Sequence, residues 1–113
     1  MPIVFVSVDS ENTLLHEFKE LTNAIDRIYI SNTCEAERIT EILKGYVNVL
    51  SIISTDLLDP ASSYESDCDI KNRIQMVVDE AKDSRFPVCM IISHHSVLNI
   101  WNPNFIDKEW SII

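Results

Sequence analysis

Glycine is almost missing from this sequence, since Gly45 is the only one in 113 residues. Close approach of the backbone to a phosphate group normally needs residues without a Cβ atom, so this scarcity argues against phosphate chemistry. The sequence contains no phosphate-binding glycine loop, Cys-x-x-Cys, Gly-x-Ser-x-Gly or His-Glu-x-x-His motif. Gly45 follows a helical pattern, where we expect a left-handed residue that ends the helix.

Basic residues are few, and no long apolar run occurs. Nine Lys and Arg stand against 18 Asp and Glu, which gives a net charge of −9. A protein with this charge repels nucleic acid and anionic membranes, and the scattered basic residues form no patch. No run approaches the roughly 20 apolar residues that cross a bilayer, and the start lacks the basic region of a signal peptide. We therefore expect a cytoplasmic protein without a nucleic-acid or membrane partner.

The cysteines are three in number and lie in unrelated contexts. An odd, scattered set fits free thiols in a reducing compartment better than a disulfide framework, and no pair has metal-ligand spacing. We predict no metal and no cofactor. A chain of this length with 46% hydrophobic residues has room for one core, so we expect a single domain over residues 1–113.

Apolar segments alternate with helical patterns along the chain. Strands are predicted at 3–8, 26–31, 47–54 and 88–93, with 3–8 as the central strand and 106–113 as an edge strand. Helices are predicted at 14–23, around Ala36 to Leu43, at 70–81 with a cap at Ser66 or Asp67, and around Val97 to Trp101. This order predicts an α/β domain of three layers, with a mainly parallel sheet and helices on both faces. Its site should lie at the carboxyl ends of the strands.

Four segments, in this order, resemble motifs of the histidine phosphatase superfamily, which has the phosphoglycerate-mutase-like fold. The apolar strand that runs into residues 9–13 is similar to the family's strand before Arg-His-Gly-Glu-Thr. Residues 28–43 resemble its strand ending in Ser and the helix Arg-Ala-x-x-Thr-Ala-Glu-Ile-Leu. Residues 64–66 resemble Glu-Ser before a helix with Arg, here Arg73, and residues 88–97 resemble the strand ending in Ser-His-Gly. The resemblance spans most of the chain.

The resemblance implies a pocket whose catalytic residues have largely been replaced. The family's nucleophilic histidine and its two arginines correspond to Asp9, Val8 and Glu35, so that only the second histidine, His94, is retained. The degenerate catalytic positions are then His94, Asp9 and Glu65, and the candidate binding residues around them are Glu35, Arg38, Ser10 and His95. Catalysis of phosphoryl transfer rests on cations aimed at the phosphoryl oxygens, and carboxylates there repel the substrate.

Three functions remain open at this point. The first is a non-catalytic binding or regulatory protein that acts through protein contacts, with a protein partner or a second copy. Its candidate interface residues are Trp101, Phe105 and Trp110, because aromatic side chains anchor interfaces; alternatively, they close the core. The second is a residual phosphatase or phosphomutase that uses His94. The third is an unrelated flavodoxin-like or receiver-like module, and the absence of a Lys directly after the strand at 88–93 disfavours a receiver.

Overall fold

The structure is a computed structural model, and it describes residues 3–8, 24–45, 47–84, 86–103 and, by their backbone, 110–112. The strands in this part of the chain are β1 (Ile3–Ser7), β2 (Ala24–Ile25), β3 (Arg27–Ser31), β4 (Asn48–Val49), β5 (Ile52–Thr55), β6 (Cys89–Ser93) and β7 (Trp110–Ile112). The helices are α1 (Cys34–Lys44), α2 (Asp67–Asp83) and α3 (His95–Trp101), with a short 3-10 helix at Asp56–Leu58. The helix predicted at 14–23 lies outside the described residues.

Five strands form one sheet in the order β5-β3-β6-β1-β7. The first four are parallel, and β7 pairs antiparallel with β1. The prediction of a mainly parallel sheet with an edge strand near the end of the chain is confirmed. The prediction that residues 3–8 form the central strand is wrong, because β6 occupies the middle and β1 lies beside it.

Both faces of the sheet are buried, which explains why its strands are almost wholly apolar. In β1, Ile3 and Phe5 face a core formed with α2 and α3. Val4 and Val6 point the opposite way, into a second core shared with α1. Successive side chains of a strand alternate between faces, so each apolar strand serves two cores at once. The expected three-layer arrangement is therefore present.

The segment predicted as one strand at 47–54 is two short strands in two different sheets. β4 pairs in parallel with β2, and β5 pairs with β3. Between them the Leu50 N–H donates to the Ile25 carbonyl at 3.1 Å, and the Ser51 carbonyl accepts from the Ile28 N–H at 2.9 Å. The chain thus changes partner at residues 50–51, which a uniform apolar pattern does not reveal.

The helix boundaries follow from side-chain caps. The Thr33 side chain accepts a hydrogen bond from the Ala36 N–H at the start of α1. Ser66 and Asp69 form a reciprocal capping box at the start of α2, which confirms the predicted cap at Ser66. Gly45 corrects our expectation of a left-handed residue: its φ is −75° and its N–H donates to the Ile42 carbonyl at 3.1 Å. α1 therefore ends in a tightened right-handed turn.

The strand order separates this fold from two common α/β architectures. Numbered by their place in the chain, the five strands of the main sheet run 3-2-4-1-5. Flavodoxin-like and receiver-like sheets run 2-1-3-4-5, and dinucleotide-binding sheets run 3-2-1-4-5-6. The flavodoxin-like alternative left open by the sequence is therefore wrong. No helix within the described residues has both the length and the apolar character needed to cross a membrane.

Candidate functional site

Hydroxyl side chains gather where the parallel strands end. Ser7 ends β1 and lies opposite Ser93, which ends β6, while Ser31 ends β3; all three are buried. Because parallel strands present their carboxyl ends at the same edge, these residues form a polar border above the apolar sheet. The Ser93 hydroxyl donates to the Leu58 carbonyl at 2.6 Å and fixes the 3-10 helix to the central strand.

His94 lies directly above this border, between β6 and α3. Its Nε2 atom is 3.3 Å from the Ser31 hydroxyl and 3.4 Å from the Thr33 hydroxyl, and these two oxygens are 3.0 Å apart. The three atoms form a closed triangle between the ends of β6 and β3. Whether Nε2 donates or accepts depends on the tautomer, and a hydroxyl serves either role. The Nε2 atom of His94 is thus bound by hydroxyls of its own chain.

Thr33 has a second role that ties the helix α1 to this triangle. Its hydroxyl also accepts the Ala36 N–H at 3.4 Å as the helix cap. The start of α1 is therefore held beside His94. Glu35 and Arg38, the second and fifth residues of α1, are both exposed to solvent. Further along the same helix, Glu41 pairs with Lys44 at 3.0 Å.

Glu65 is held by an arginine, in a partly buried pair. The Arg73 Nε atom lies 2.8 Å from Oε2 of Glu65, Nη2 lies 3.2 Å from Oε1, and Nη1 donates to the Leu57 carbonyl at 2.6 Å. The Ser62 N–H and hydroxyl also donate to Oε1, at 3.0 and 3.2 Å. Hydrogen bonds from Arg73, and next from the Ser62 backbone, lower the pKa of Glu65 to about 2. A carboxyl group with this pKa has no proton to donate near neutral pH.

Asn32 connects two further carboxylates to the same edge of the sheet. Its backbone N–H donates to Oδ1 of Asp59 at 2.7 Å, and its side-chain amide donates to Oδ1 of Asp56 at 3.3 Å. The Ser54 hydroxyl donates to Oδ1 of Asn32 at 3.3 Å. These contacts join the end of β3 to the turn after β5. Negative charge therefore lies at the carboxyl end of the sheet.

The candidate residues fall into three groups. His94 and Glu65 are described above, and His95, the first residue of α3, is half-buried. Asp9, Ser10 and Phe105 lie outside the described residues, and so does the side chain of Trp110. Trp101 packs within its own chain: its ring stacks on Phe5 with centroids 4.9 Å apart, and its N–H donates to Gln75 at 2.9 Å. These are the contacts of a residue that closes the core.

Our sequence reasoning placed the site at the carboxyl ends of the strands but assigned no role to Ser31, Asn32 or Thr33, which lie at the end of the strand predicted at 26–31. The available signal was their place after a buried strand, because such positions meet other strand ends at the same edge. In the part of the chain that the structure describes, no three His, Cys, Asp or Glu side chains are grouped to hold a metal ion. The three cysteines are free, as their odd number predicted.

The geometry defines a class of protein, an α/β domain with a mostly parallel sheet and polar residues at its carboxyl edge. Comparison with protein-family models and with curated proteins found no match for this chain.

Proposed function

We propose that this protein is a non-catalytic member of the histidine-phosphatase-like α/β proteins and acts through contacts with other proteins. The observation that carries its non-catalytic part is that the Arg73 guanidinium is already hydrogen-bonded within the chain. The guanidinium donates to both oxygens of Glu65 and to the Leu57 carbonyl. An arginine already bound in this way is not available to grip phosphoryl oxygens.

The charge of the surrounding residues supports the same conclusion. On the resemblance, an apolar side chain, Val8, and a carboxylate, Glu35, stand where the family has arginines. Asp56 and Asp59 add carboxylates near the end of β3. Phosphoryl transfer requires preorganised positive charge, and one like charge at about 4 Å costs on the order of 4 kcal/mol at an effective dielectric of 20.

A residual phosphatase that uses His94 is the second candidate. The observation in its favour is that His94 lies at the carboxyl end of β6, at the edge where α/β proteins bind ligands. Against it, Nε2 of His94 lies within hydrogen-bonding distance of Ser31 and Thr33. A nucleophile or acid would first have to break these contacts. We therefore rank this function below the non-catalytic one.

Two assays on the purified protein separate these functions. We expect no hydrolysis of p-nitrophenyl phosphate above the level of the His94→Ala variant, which serves as the matched control. We also expect no thermal stabilisation by phosphate or vanadate, whereas a ligand at a hundred times its Kd adds about 2.7 kcal/mol. Turnover by the wild type that is lost in His94→Ala would establish the residual phosphatase and overturn the proposal.

Phe105 and Trp110 remain the predicted interface residues, whereas the contacts of Trp101 with Phe5 and Gln75 assign it to the core. Aromatic side chains anchor protein interfaces because they bury large areas with little loss of conformational entropy. β7, which includes Trp110, pairs its backbone with β1 and so belongs to the sheet. The Trp110→Ala variant tests the interface without removing that strand. We expect it to keep the fold and to lose partner binding.

A further inference from the structure

The strand β5 forms one edge of the main sheet, and within the described residues it pairs with β3 alone. The Ile28 N–H donates to the Ser51 carbonyl, and this bond shows which backbone groups of the edge segment face β3. Alternate residues of an edge strand direct both backbone groups towards the neighbouring strand. The backbone N–H and C=O groups of Ile52 and Ser54 therefore point away from β3, to the outside of the sheet.

The described edge strand β5 carries no charged side chain and no proline, two of the features that prevent pairing. Edge strands are commonly protected by charged side chains or by proline, whereas residues 45–55 contain neither. Two large apolar side chains are exposed there, Leu50 at 71% and Ile52 at 38%. An uncharged strand with exposed apolar side chains and outward backbone groups is a template for a further strand.

We propose that β5 pairs antiparallel with β5 of a second copy of this chain, which joins the two main sheets into one. A two-fold axis at Ile53 places Ile52 of each copy opposite Ser54 of the other. The outward N–H and C=O groups of both residues are then satisfied by the same groups in the second copy. The inference goes beyond the proposed function, because an active enzyme would pair in the same way.

The self-complementary, uncharged edge favours a second copy as the occupant. Each copy carries a net charge of −9, so two copies repel one another least where uncharged surfaces meet. The edge strand β5 is uncharged, and a two-fold contact presents it from both sides. A basic partner would need acidic side chains to hold it, and β5 has none. The longer uncharged run at 86–106 includes the buried strand β6, which has both neighbours filled.

Sedimentation equilibrium of the full chain tests the proposal, with Ile52→Glu and Leu50→Glu as edge variants. Met76→Glu is the matched control, because Met76 is 59% exposed on α2 and the change adds the same charge. We expect the wild type to dimerise, and the edge variants to raise the dimer Kd at least about tenfold, since they place like charges across the pairing. Met76→Glu should leave the Kd within about twofold of the wild type.

Amide hydrogen exchange locates the contact without any substitution. In the dimer, the outward amides of Ile52 and Ser54 should become protected, and dilution should remove this protection. A wild type that stays monomeric at high concentration would overturn the proposal, as would a dimer whose Kd is the same in Ile52→Glu, Leu50→Glu and Met76→Glu. Neither result bears on the phosphatase assays, so the two proposals fail separately.

Discussion

The Arg73 guanidinium holds both oxygens of the Glu65 carboxylate, with 2.8 Å from Nε to Oε2 and 3.2 Å from Nη2 to Oε1. The pair is only 13% and 20% exposed at its two side chains. It fixes the loop before α2 to the helix, and through the Leu57 carbonyl it also holds the 3-10 helix. The residue that the resemblance placed in a catalytic pocket thus has a clear structural role.

This pair predicts how stability depends on pH. The pKa of Glu65 is about 2 in the folded protein, below its ordinary value of 4.5, so ionised Glu65 favours the folded state. Its contribution is fully present above about pH 5 and is lost as the pH falls towards 2. We expect Glu65→Gln to lower the free energy of unfolding at neutral pH, and to differ less from the wild type as the pH falls. Urea unfolding across this range measures the difference.

The control for this prediction is Glu35→Gln, which removes the same charge from an exposed position on α1. It should change the free energy of unfolding little, because an exposed carboxylate contributes weakly. A Glu65→Gln effect of constant size from neutral to acidic pH would show that the ionised pair does not stabilise the fold.

Thr33 predicts a measurable difference between two similar substitutions. Its hydroxyl caps α1 and contacts Nε2 of His94. Thr33→Val keeps the shape but removes the hydroxyl, so we expect a loss of about 1 kcal/mol or more in unfolding free energy. Thr33→Ser keeps the hydroxyl and should be close to the wild type. Equal free energies of unfolding for the two variants would show that the Thr33 hydroxyl does not stabilise the fold.

The capping box of α2 can be tested in the same way. The Ser66 hydroxyl accepts the Asp69 N–H at 3.2 Å, and the Asp69 side chain accepts the Ser66 N–H at 3.1 Å. Removal of an N-cap side chain costs about 1 kcal/mol, so Ser66→Ala should lower the free energy of unfolding by about that amount. Ser63→Ala, in the exposed loop before the cap, is the control. A larger effect at Ser63 would contradict the assignment.

Trp101 distinguishes packing in the core from a role in an interface. Its ring stacks on Phe5 and its N–H donates to Gln75. Trp101→Ala should destabilise the monomer by about 3 kcal/mol, and Trp101→Phe, which keeps an aromatic ring but loses the N–H, by about 1 kcal/mol. Chemical unfolding at low protein concentration measures both. An unchanged free energy in Trp101→Ala would assign the side chain to an interface instead.

Local patterns were sufficient to predict most secondary structure. The apolar run at 88–93 predicted β6, and the helical spacing from Ile70 to Ala81 predicted α2. Both patterns are strong signals, because burial gives the apolar residues of a strand and those of a helix different spacings along the sequence. The run at 47–54 gave a wrong prediction of one strand, because β4 and β5 are both uncharged and are separated by the strands with which they pair.

The candidate site was less accessible to sequence reasoning. The motif around His94 placed it at the end of a strand, as the structure does, and put it at the edge where sites form. Nothing local reveals that Ser31, 63 residues away, contacts its imidazole. Glu65 appeared as a pocket residue in the motif, whereas its pairing with Arg73 depends on how the loop folds back onto α2.

The sequence by itself determined the apolar strands, the amphipathic helices and the acidic charge, because each depends on residues close together in the chain. Tertiary structure decided the strand order, the split between β4 and β5, and the partners of His94 and Glu65. Such choices depend on which distant segments meet, and the free energy of a contact is shared between residues that no local pattern links. Whether Arg73 faces a ligand or Glu65 is a choice of this second kind.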